Sequence, residues 1–224
     1  MPPLVIAHRG ASGYAFENSA AAFRRAVELG ADAVELDIHA TADGALLVHH
    51  DPEVPGVGII GELPAGAFAG YRLPNGEPIP TLAEALVILR GLDVWVEIKT
   101  LPPTADKRLF EALDAGPTPS RYAVHAFDHR IIARLGDQRP GLRRGVLLAS
   151  YLLDALPILH GVGADTLWMD TELIDSTLVT DLHDDGMQII AWTANDDREI
   201  RRLIALDVDG ICGNYPDRIR AAIG

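Results

Sequence analysis

Two stretches of the chain, residues 33–39 and 93–99, place a branched apolar residue at every second position and mostly charged residues between them. Neighbouring side chains of a β-strand point to opposite faces, so this pattern predicts two strands with one apolar face each. Glu35, Asp37 and Glu97 then share the other face, which points inward or toward a rim. In parallel α/β folds the chemistry lies at the carboxyl ends of the strands.

Short β-rich runs and amphipathic helical runs alternate along the rest of the chain. The predicted strands are residues 4–8, 33–39, 46–49, 93–99, 121–126, 144–148, 166–169, 188–192 and 210–212. The predicted helices are residues 18–29, 81–90, 107–115, 128–135, 152–160, 176–184 and 197–206. Similar junctions of the type Leu29-Gly30-Ala31-Asp32 recur between helix and strand. The pattern predicts an α/β fold of eight repeated units, a compact (β/α)8 TIM barrel.

A doubly wound open sheet is the alternative fold. It usually has fewer strands and a glycine-rich first turn, and no G-x-G-x-x-G motif follows the first predicted strand. The barrel is therefore favoured.

Residues 51–80 are rich in proline and glycine and predict an irregular loop. The segment interrupts the alternation after the second strand, so we interpret it as a short insertion that caps the mouth of the site. Residues 1–224 are then expected to form a single barrel domain.

Composition narrows the classes of partner. The chain has 224 residues, 48% of them apolar, a single cysteine and a formal net charge of −13. This charge argues against nucleic acid or an anionic membrane as a partner, because both require a basic surface. Without a run of about 20 apolar residues or a basic leader, the chain is expected to be soluble and cytoplasmic, with no stable membrane insertion. A small molecule is the expected partner.

Three carboxylates that converge at one rim require a counterion. Two like charges about 4 Å apart repel by ~4 kcal/mol at an effective dielectric near 20. Ordinary salt bridges to arginine or lysine are one solution. Two acidic strands, one ending in Glu97-x-Lys99, instead favour a combined metal and anion site. Carboxylate oxygens suit either Mg2+ or Ca2+.

Histidines and an arginine follow other strands at the same predicted rim. His8 and Arg9 lie at the end of the first strand, and His50 lies at the end of the short strand predicted at residues 46–49. Arginine matches the geometry of phosphate oxygens, and histidine transfers protons near neutral pH. Two imidazoles, an acidic cluster and cationic groups suit cleavage of a phosphodiester by general acid and base.

In this arrangement the chain resembles the glycerophosphodiester phosphodiesterases. The motifs that carry the resemblance are His8-Arg9-Gly10, Glu17-Asn18-Ser19, Glu35-Leu36-Asp37, Thr41-x-Asp43-Gly44, His50-Asp51, Ile79-Pro80-Thr81-Leu82 and Glu97-Ile98-Lys99. They are followed in the family's order by Trp192-Thr193-Ala194-Asn195, Gly210-Ile211 and Tyr215-Pro216-Asp217. The resemblance therefore spans nearly the whole chain.

The resemblance implies a TIM-barrel enzyme that hydrolyses glycerophosphodiesters to an alcohol and sn-glycerol 3-phosphate. It implies roles for nine residues. His8 and His50 would act as general acid and base, and Glu35, Asp37 and Glu97 would bind one divalent metal. Arg9 and Lys99 would bind the phosphate, Glu17 would support the site, and Trp192 would line the substrate pocket.

The chain departs from the family's usual pattern at four places. Phe16 replaces a proline, Ser19 a threonine, His125-Ala126 a serine, and Gly213-Asn214 a threonine and an acidic or amide residue. The last two are expected to change the pocket floor and the alcohol that it accepts.

Two other functions are compatible with the residues. A Schiff-base aldolase or isomerase would use Lys99 as its nucleophile, although Glu97 nearby would keep that amine charged. A catalytically silent barrel that binds a phosphate ligand would follow if the altered positions had broken the site.

Overall fold

The computed structural model describes residues 2–224 and contains a closed parallel barrel. Its strands are β1 (Leu4–His8), β2 (Ala33–Ala40), β3 (Leu46–Val48), β4 (Glu53–Val54), β5 (Gly58–Ile59), β6 (Asp93–Thr100), β7 (Tyr122–Ala126), β8 (Arg143–Leu148), β9 (Thr166–Asp170), β10 (Gln188–Trp192) and β11 (Gly210–Gly213). Its α-helices are α1 (Ala20–Glu28), α2 (Leu82–Ile88), α3 (Asp106–Ala115), α4 (His129–Gln138), α5 (Leu156–Val162), α6 (Ser176–Asp184), α7 (Asp197–Ala205) and α8 (Pro216–Ile223).

Eight of these strands form the barrel wall, in the order β1-β11-β10-β9-β8-β7-β6-β2, and β1 pairs with β2 to close it. Every pairing among the eight is parallel. Helices connect them, so the predicted (β/α)8 TIM barrel is confirmed, and the open-sheet alternative is wrong.

The alternation of the strands divides the interior into two apolar layers. Val34, Leu36 and Ile38 are fully buried in the large layer between strands and helices. Side chains of opposite parity fill the barrel interior, where Trp95 and Trp168 pack against each other. The charged residues of β2 and β6 share this inward parity, which places them directly above the filled part of the barrel.

The recurrent aspartate at the helix-to-strand junctions has a structural role. Asp32 accepts a hydrogen bond from the backbone N–H of Val5 at 2.8 Å, and Asp209 accepts one from Ile189 at 2.9 Å. Each carboxylate thus satisfies a strand end that would otherwise lack a partner. The repeated motif therefore stabilises the end of the barrel opposite the carboxyl ends of the strands.

The insertion differs from the expected irregular loop. Residues 51–80 contain the β4–β5 hairpin and two 3-10 helices, Ile60–Glu62 and Ala65–Phe68. A separate apolar cluster lies beneath them, formed by Leu47, Val54, Ile60, Phe68, Leu73 and Ile79. Proline and glycine keep the elements short, but the apolar residues between them give the segment its own core.

Three further details depart from the predicted elements. Strand β3 lies outside the barrel and pairs antiparallel with β2. Helix α5 begins at Leu156 rather than at residue 152, with Pro157 in its first turn, where a proline fits without loss of a hydrogen bond. Helix α8, which follows the motif at residues 215–217, was not predicted. Within residues 2–224 no helix combines the length and apolar character needed to cross a membrane.

The N-terminus of α2 offers a test of the fold. Thr81 accepts a hydrogen bond from the Glu84 N–H, and the Glu84 side chain accepts one from the Thr81 N–H. We expect Thr81→Ala to lower the free energy of unfolding by about 1 kcal/mol, because this capping box is lost. Urea denaturation measures the effect. The exposed Thr177→Ala inside α6 is the control and is expected to stay within about 0.5 kcal/mol of wild type.

Candidate active site

A cavity of about 100 Å³ opens at the carboxyl ends of the barrel strands. Seven of the residues singled out by sequence line it or form its rim. They are His8, Arg9, Glu35, His50, Glu97, Lys99 and Trp192. Asp37 is completely buried beside them, and Glu17 contacts Arg9 from outside the lining. The structure therefore brings all nine predicted site residues into one region.

The acidic cluster consists of Glu35, Asp37 and Glu97, each of which offers a carboxylate oxygen within 4.8 Å of the other two. Glu35 and Asp37 are two residues apart on β2, so they share one face, and Glu97 on β6 is the register partner of Asp37. All three are buried. These three residues could hold a metal ion.

Two cations already contact this cluster. Arg9 Nε lies 3.1 Å from Asp37 Oδ2, and its Nη1 donates to both oxygens of Glu17 at 2.9 Å. Lys99 Nζ lies 3.1 Å from Asp37 Oδ1 and 2.5 Å from Glu97 Oε1. Ordinary salt bridges are therefore present. Arg9 and Lys99 are nevertheless two cations for the three buried carboxylates, and Arg9 also serves Glu17.

The pKa values reflect this excess of negative charge. Burial, together with the charges of Asp37 and Glu97, raises the pKa of Glu35 well above its ordinary value. Burial and Asp37 raise the pKa of Glu97 to about 7, although Lys99 opposes the change. Burial also acts to raise the pKa of Asp37, but Lys99 and Arg9 outweigh it and hold that pKa below its ordinary value.

Glu35 provides a further sign that the cluster is short of positive charge. Its Oε2 accepts a hydrogen bond from the Arg9 N–H at 3.0 Å, while its buried Oε1 has no hydrogen-bond partner within residues 2–224. A buried polar atom without a partner costs about 1–3 kcal/mol. A divalent cation among the three carboxylates would supply a partner and reduce their repulsion, so the donor set fits one.

Two residues with left-handed backbone hold the cluster in place. Arg9 has a φ of 54° and Asn18 a φ of 52°, a region that residues other than glycine rarely adopt. The turn at Arg9 directs its N–H to Glu35. The amide of Asn18 donates to Asp37 Oδ2 at 2.7 Å and accepts from the Asp37 N–H at 3.3 Å. Contacts to the acidic residues thus offset the backbone strain.

His8 is held by an asparagine that the sequence indicated only as a departure from the family pattern. Its Nδ1 lies 2.8 Å from Asn214 Oδ1, and the Asn214 N–H donates to Asn195 Oδ1 at 2.8 Å. A carbonyl oxygen only accepts, so Nδ1 carries the proton and Nε2 keeps its lone pair. Burial and the charge of Arg9 lower the pKa of His8 to about 4.

His50 lies in a more open environment, with its side chain 35% exposed. Its Nδ1 lies 2.8 Å from Asp51 Oδ1. Its backbone carbonyl accepts from Nε2 of the buried His39 at 3.0 Å, and the Thr100 hydroxyl donates to Nδ1 of His39. His39 therefore connects β2 and β6 to the backbone of His50.

An aromatic wall faces the charged residues. Trp192 and Phe127 line the cavity with ring centroids 5.7 Å apart and planes at 81°. His125 and Trp168 line it as well. Phe127 was missed from the sequence, because an aromatic residue after a strand carries no specific signal. His125 was noted only as a departure from the family pattern.

Comparisons with known proteins agree on one family. Residues 8–218 match the model of the glycerophosphoryl diester phosphodiesterase family. A glycerophosphodiester phosphodiesterase of Caldanaerobacter subterraneus subsp. tengcongensis is 33% identical, with 98% of this chain and 97% of the relative aligned. One of Bacillus altitudinis is 28% identical over 96% of this chain and 95% of the relative.

Solved structures show the same fold. A phosphodiesterase of Oleispira antarctica, in complex with the product sn-glycerol-3-phosphate, superposes with a TM-score of 0.92 at 24% identity, over 99% of this chain and 97% of the other. A glycerophosphodiester phosphodiesterase of Parabacteroides distasonis superposes with a TM-score of 0.89, also at 24% identity, over 99% and 97%.

The acidic cluster predicts an unusual dependence of stability on pH. The pKa of Glu97 rises from its ordinary 4.5 to about 7 in the fold, so its contribution to stability is present below pH 4.5 and is lost as the pH rises through 7. In metal-free protein, Glu97→Gln should remove this loss. We expect the variant to become more stable than wild type by about 2–3 kcal/mol at neutral pH, and by less near pH 4.5.

Thermal melts with chelator, from pH 4.5 to 8, measure the difference, and exposed Glu53→Gln is the matched control. Titration with Mg2+ or Ca2+ should raise the melting temperature of wild type and of the control, but much less that of Glu97→Gln. A metal-free variant that is less stable than wild type and keeps a full response to metal would assign Glu97 to a structural ion pair with Lys99.

Proposed function

The chain belongs to the glycerophosphoryl diester phosphodiesterase family, and on this premise we propose that it hydrolyses glycerophosphodiesters to an alcohol and sn-glycerol 3-phosphate. The observation that carries the proposal is the buried cluster of Glu35, Asp37 and Glu97, whose negative charge Arg9 and Lys99 beside it neutralise only in part. The Oleispira antarctica neighbour, which has the same fold, was solved with sn-glycerol-3-phosphate. That compound is the product expected here.

We propose that the three carboxylates hold one divalent cation, Mg2+ or Ca2+. Such an ion would supply Lewis-acid stabilisation of charge on the phosphoryl oxygens. Both ions prefer oxygen ligands, and the three side chains offer six carboxylate oxygens, some of which serve Arg9, Asn18 and Lys99.

Arg9 and Lys99 are proposed to bind the phosphate. Glu17 and Asp37 hold the Arg9 guanidinium from two sides, and Asp37 and Glu97 hold the Lys99 ammonium. Fixed cations that need no reorganisation when charge develops are the usual source of electrostatic stabilisation in phosphoryl transfer. In this role Glu17 positions Arg9, while Trp192 forms a wall of the pocket.

His8 is proposed as the general base and His50 as the general acid. Asn214 fixes the proton of His8 on Nδ1, so Nε2 is free to take a proton from the attacking water molecule. As the new P–O bond forms and the bond to the alcohol breaks, His50 at the open rim donates a proton to the departing alkoxide. The contact between its Nδ1 and Asp51 Oδ1 orients the His50 ring.

The Schiff-base alternative is disfavoured by the environment of Lys99. Its ammonium contacts Asp37 and Glu97, and although burial acts to lower the pKa of Lys99, these two charges outweigh it and raise the pKa. An amine must be neutral to attack a carbonyl, so this lysine is in the wrong state. The silent-barrel alternative predicts no turnover of any phosphodiester.

The charge of the chain indicates the class of its partner. With a net charge of −13, we infer a small-molecule substrate rather than nucleic acid. A cytoplasmic location and a single domain over residues 1–224, with residues 51–80 as a cap, complete the proposal.

Turnover of glycerophosphocholine and glycerophosphoethanolamine, with and without chelator, tests the proposed function directly. We expect activity on both that chelator abolishes and that Mg2+ or Ca2+ restores. No turnover on either substrate in the presence of metal would contradict the proposal. Borohydride trapping of a carbonyl substrate on Lys99 would favour the Schiff-base alternative.

The two histidines are tested by substitution. His8→Ala and His50→Ala are each expected to lower kcat on glycerophosphocholine by about 10²-fold or more, the usual contribution of a positioned acid or base. The rise in melting temperature with metal should survive in both variants. His160→Ala removes an exposed histidine that pairs with Asp185, neither of which lines the cavity, and it should leave kcat unchanged.

The leaving group distinguishes the two roles. A p-nitrophenyl ester departs without protonation, so His50→Ala should recover most of its activity on bis(p-nitrophenyl) phosphate, while His8→Ala should not. Recovery by His8→Ala alone would reverse the assignment of acid and base.

A further inference from the structure

The proposed mechanism leaves one buried histidine of the cavity without a role. His125, on β7, is only 1% exposed, yet it lines the same cavity as His8, Arg9 and Lys99. Neither of its ring nitrogens has a hydrogen-bond partner within residues 2–224. Native proteins rarely leave a buried polar side chain in this state, so each case calls for an explanation.

Packing fixes the position of this ring. The His125 ring lies 4.2 Å from the Trp168 ring and 5.6 Å from the Trp95 ring, measured between centroids. These contacts account for the imidazole as a flat, well-packed group. They do not account for its two nitrogens, because a leucine or phenylalanine would fill the space without leaving polar atoms unpaired at a cost of about 1–3 kcal/mol.

His125 does not belong to the acidic cluster. It is the register neighbour of Glu97 on the adjacent strand. The group of described residues whose ligand atoms lie within 4.8 Å of one another nevertheless contains only Glu35, Asp37 and Glu97. No described group pairs with the imidazole, so a molecule that enters the cavity, water or substrate, is left as its partner.

The two ends of the cavity differ in enclosure. Phe127 stands at the open end, 48% exposed, whereas His125 and Trp168 are about 99% buried. All substrates of the proposed reaction share the glycerol phosphate half and differ in the alcohol. The constant half suits the enclosed, rigid end, and the variable alcohol suits the open one.

We propose that His125 is the specificity residue for the glycerol half, to whose hydroxyl groups its imidazole is hydrogen-bonded. An imidazole with one protonated nitrogen offers one donor and one acceptor, and a vicinal diol offers both in return. This inference rests on the proposed function and adds a recognition element to it. A site that leaves buried polar groups unpaired discriminates strongly against a ligand that lacks the matching hydroxyls.

A matched pair of substitutions isolates the hydrogen bond from the packing. His125→Gln keeps a donor and an acceptor, whereas His125→Leu is of similar size and has neither. Each protein is titrated calorimetrically, in the presence of Mg2+ or Ca2+, with sn-glycerol 3-phosphate and with n-propyl phosphate, which has the same charge and no hydroxyl.

Wild type is expected to bind sn-glycerol 3-phosphate at least tenfold more tightly than propyl phosphate. His125→Leu should reduce this ratio about tenfold by weakening only the glycerol ligand, and His125→Gln should recover part of it. The melting temperature of His125→Leu should equal or exceed that of wild type, because unpaired polar atoms are removed.

Equal loss of affinity for both phosphates would overturn the inference, as would a wild type that binds the two equally well. The second result is measured on wild type alone, so the inference can be tested even if His125→Leu fails to fold. A protein that discriminates between the two phosphates but turns over no phosphodiester would keep the binding role and contradict the proposed function instead.

Discussion

The repulsion among three buried carboxylates is the constraint on which the rest of this site depends. Glu35, Asp37 and Glu97 each place a carboxylate oxygen within 4.8 Å of one from the other two. All three side chains are buried, and like charges interact strongly in the protein interior. Arg9 and Lys99 neutralise Asp37 most effectively, as the opposite pKa directions of Asp37 and Glu35 indicate. The negative charge that remains is the reason why these three residues could hold a metal ion, and in metal-free protein the repulsion opposes folding.

The barrel tolerates this repulsion because the charged layer and the apolar layers are on different faces of the same strands. The outer face of β2 consists of Val34, Leu36 and Ile38, which are completely buried. The inward residues below the site, among them Trp95 and Trp168, fill the interior. A one-residue shift in the register of β2 would exchange these faces and place carboxylates under the helices, so the strand period fixes both the fold and the site.

Much of this arrangement could be predicted from the sequence, because it depends on local periodicity. The alternation in residues 33–39 and 93–99 indicated that Glu35, Asp37 and Glu97 share a face. The barrel topology then places β2, which carries Glu35 and Asp37, beside β6, which carries Glu97. Helix starts such as Thr81 carried their own capping signal. The roles of His39 and Asn214 could not be predicted, since each depends on a contact with a residue far away in the chain, Thr100 for His39 and His8 for Asn214.

The insertion and the aromatic wall were hard to predict for another reason. In residues 51–80 the apolar residues follow no regular period, because they contact one another across turns rather than along one element. Phe127 and His125 alternate with Ala126, so parity alone assigns both to the inward face but cannot separate a pocket wall from core filler. Only the tertiary structure distinguishes them, because Trp168 and Trp95 cover the His125 ring while its nitrogens stay unpaired. An imidazole held by packing but left without polar partners is preorganised for a ligand, whereas the same residue in a satisfied core would be only structural.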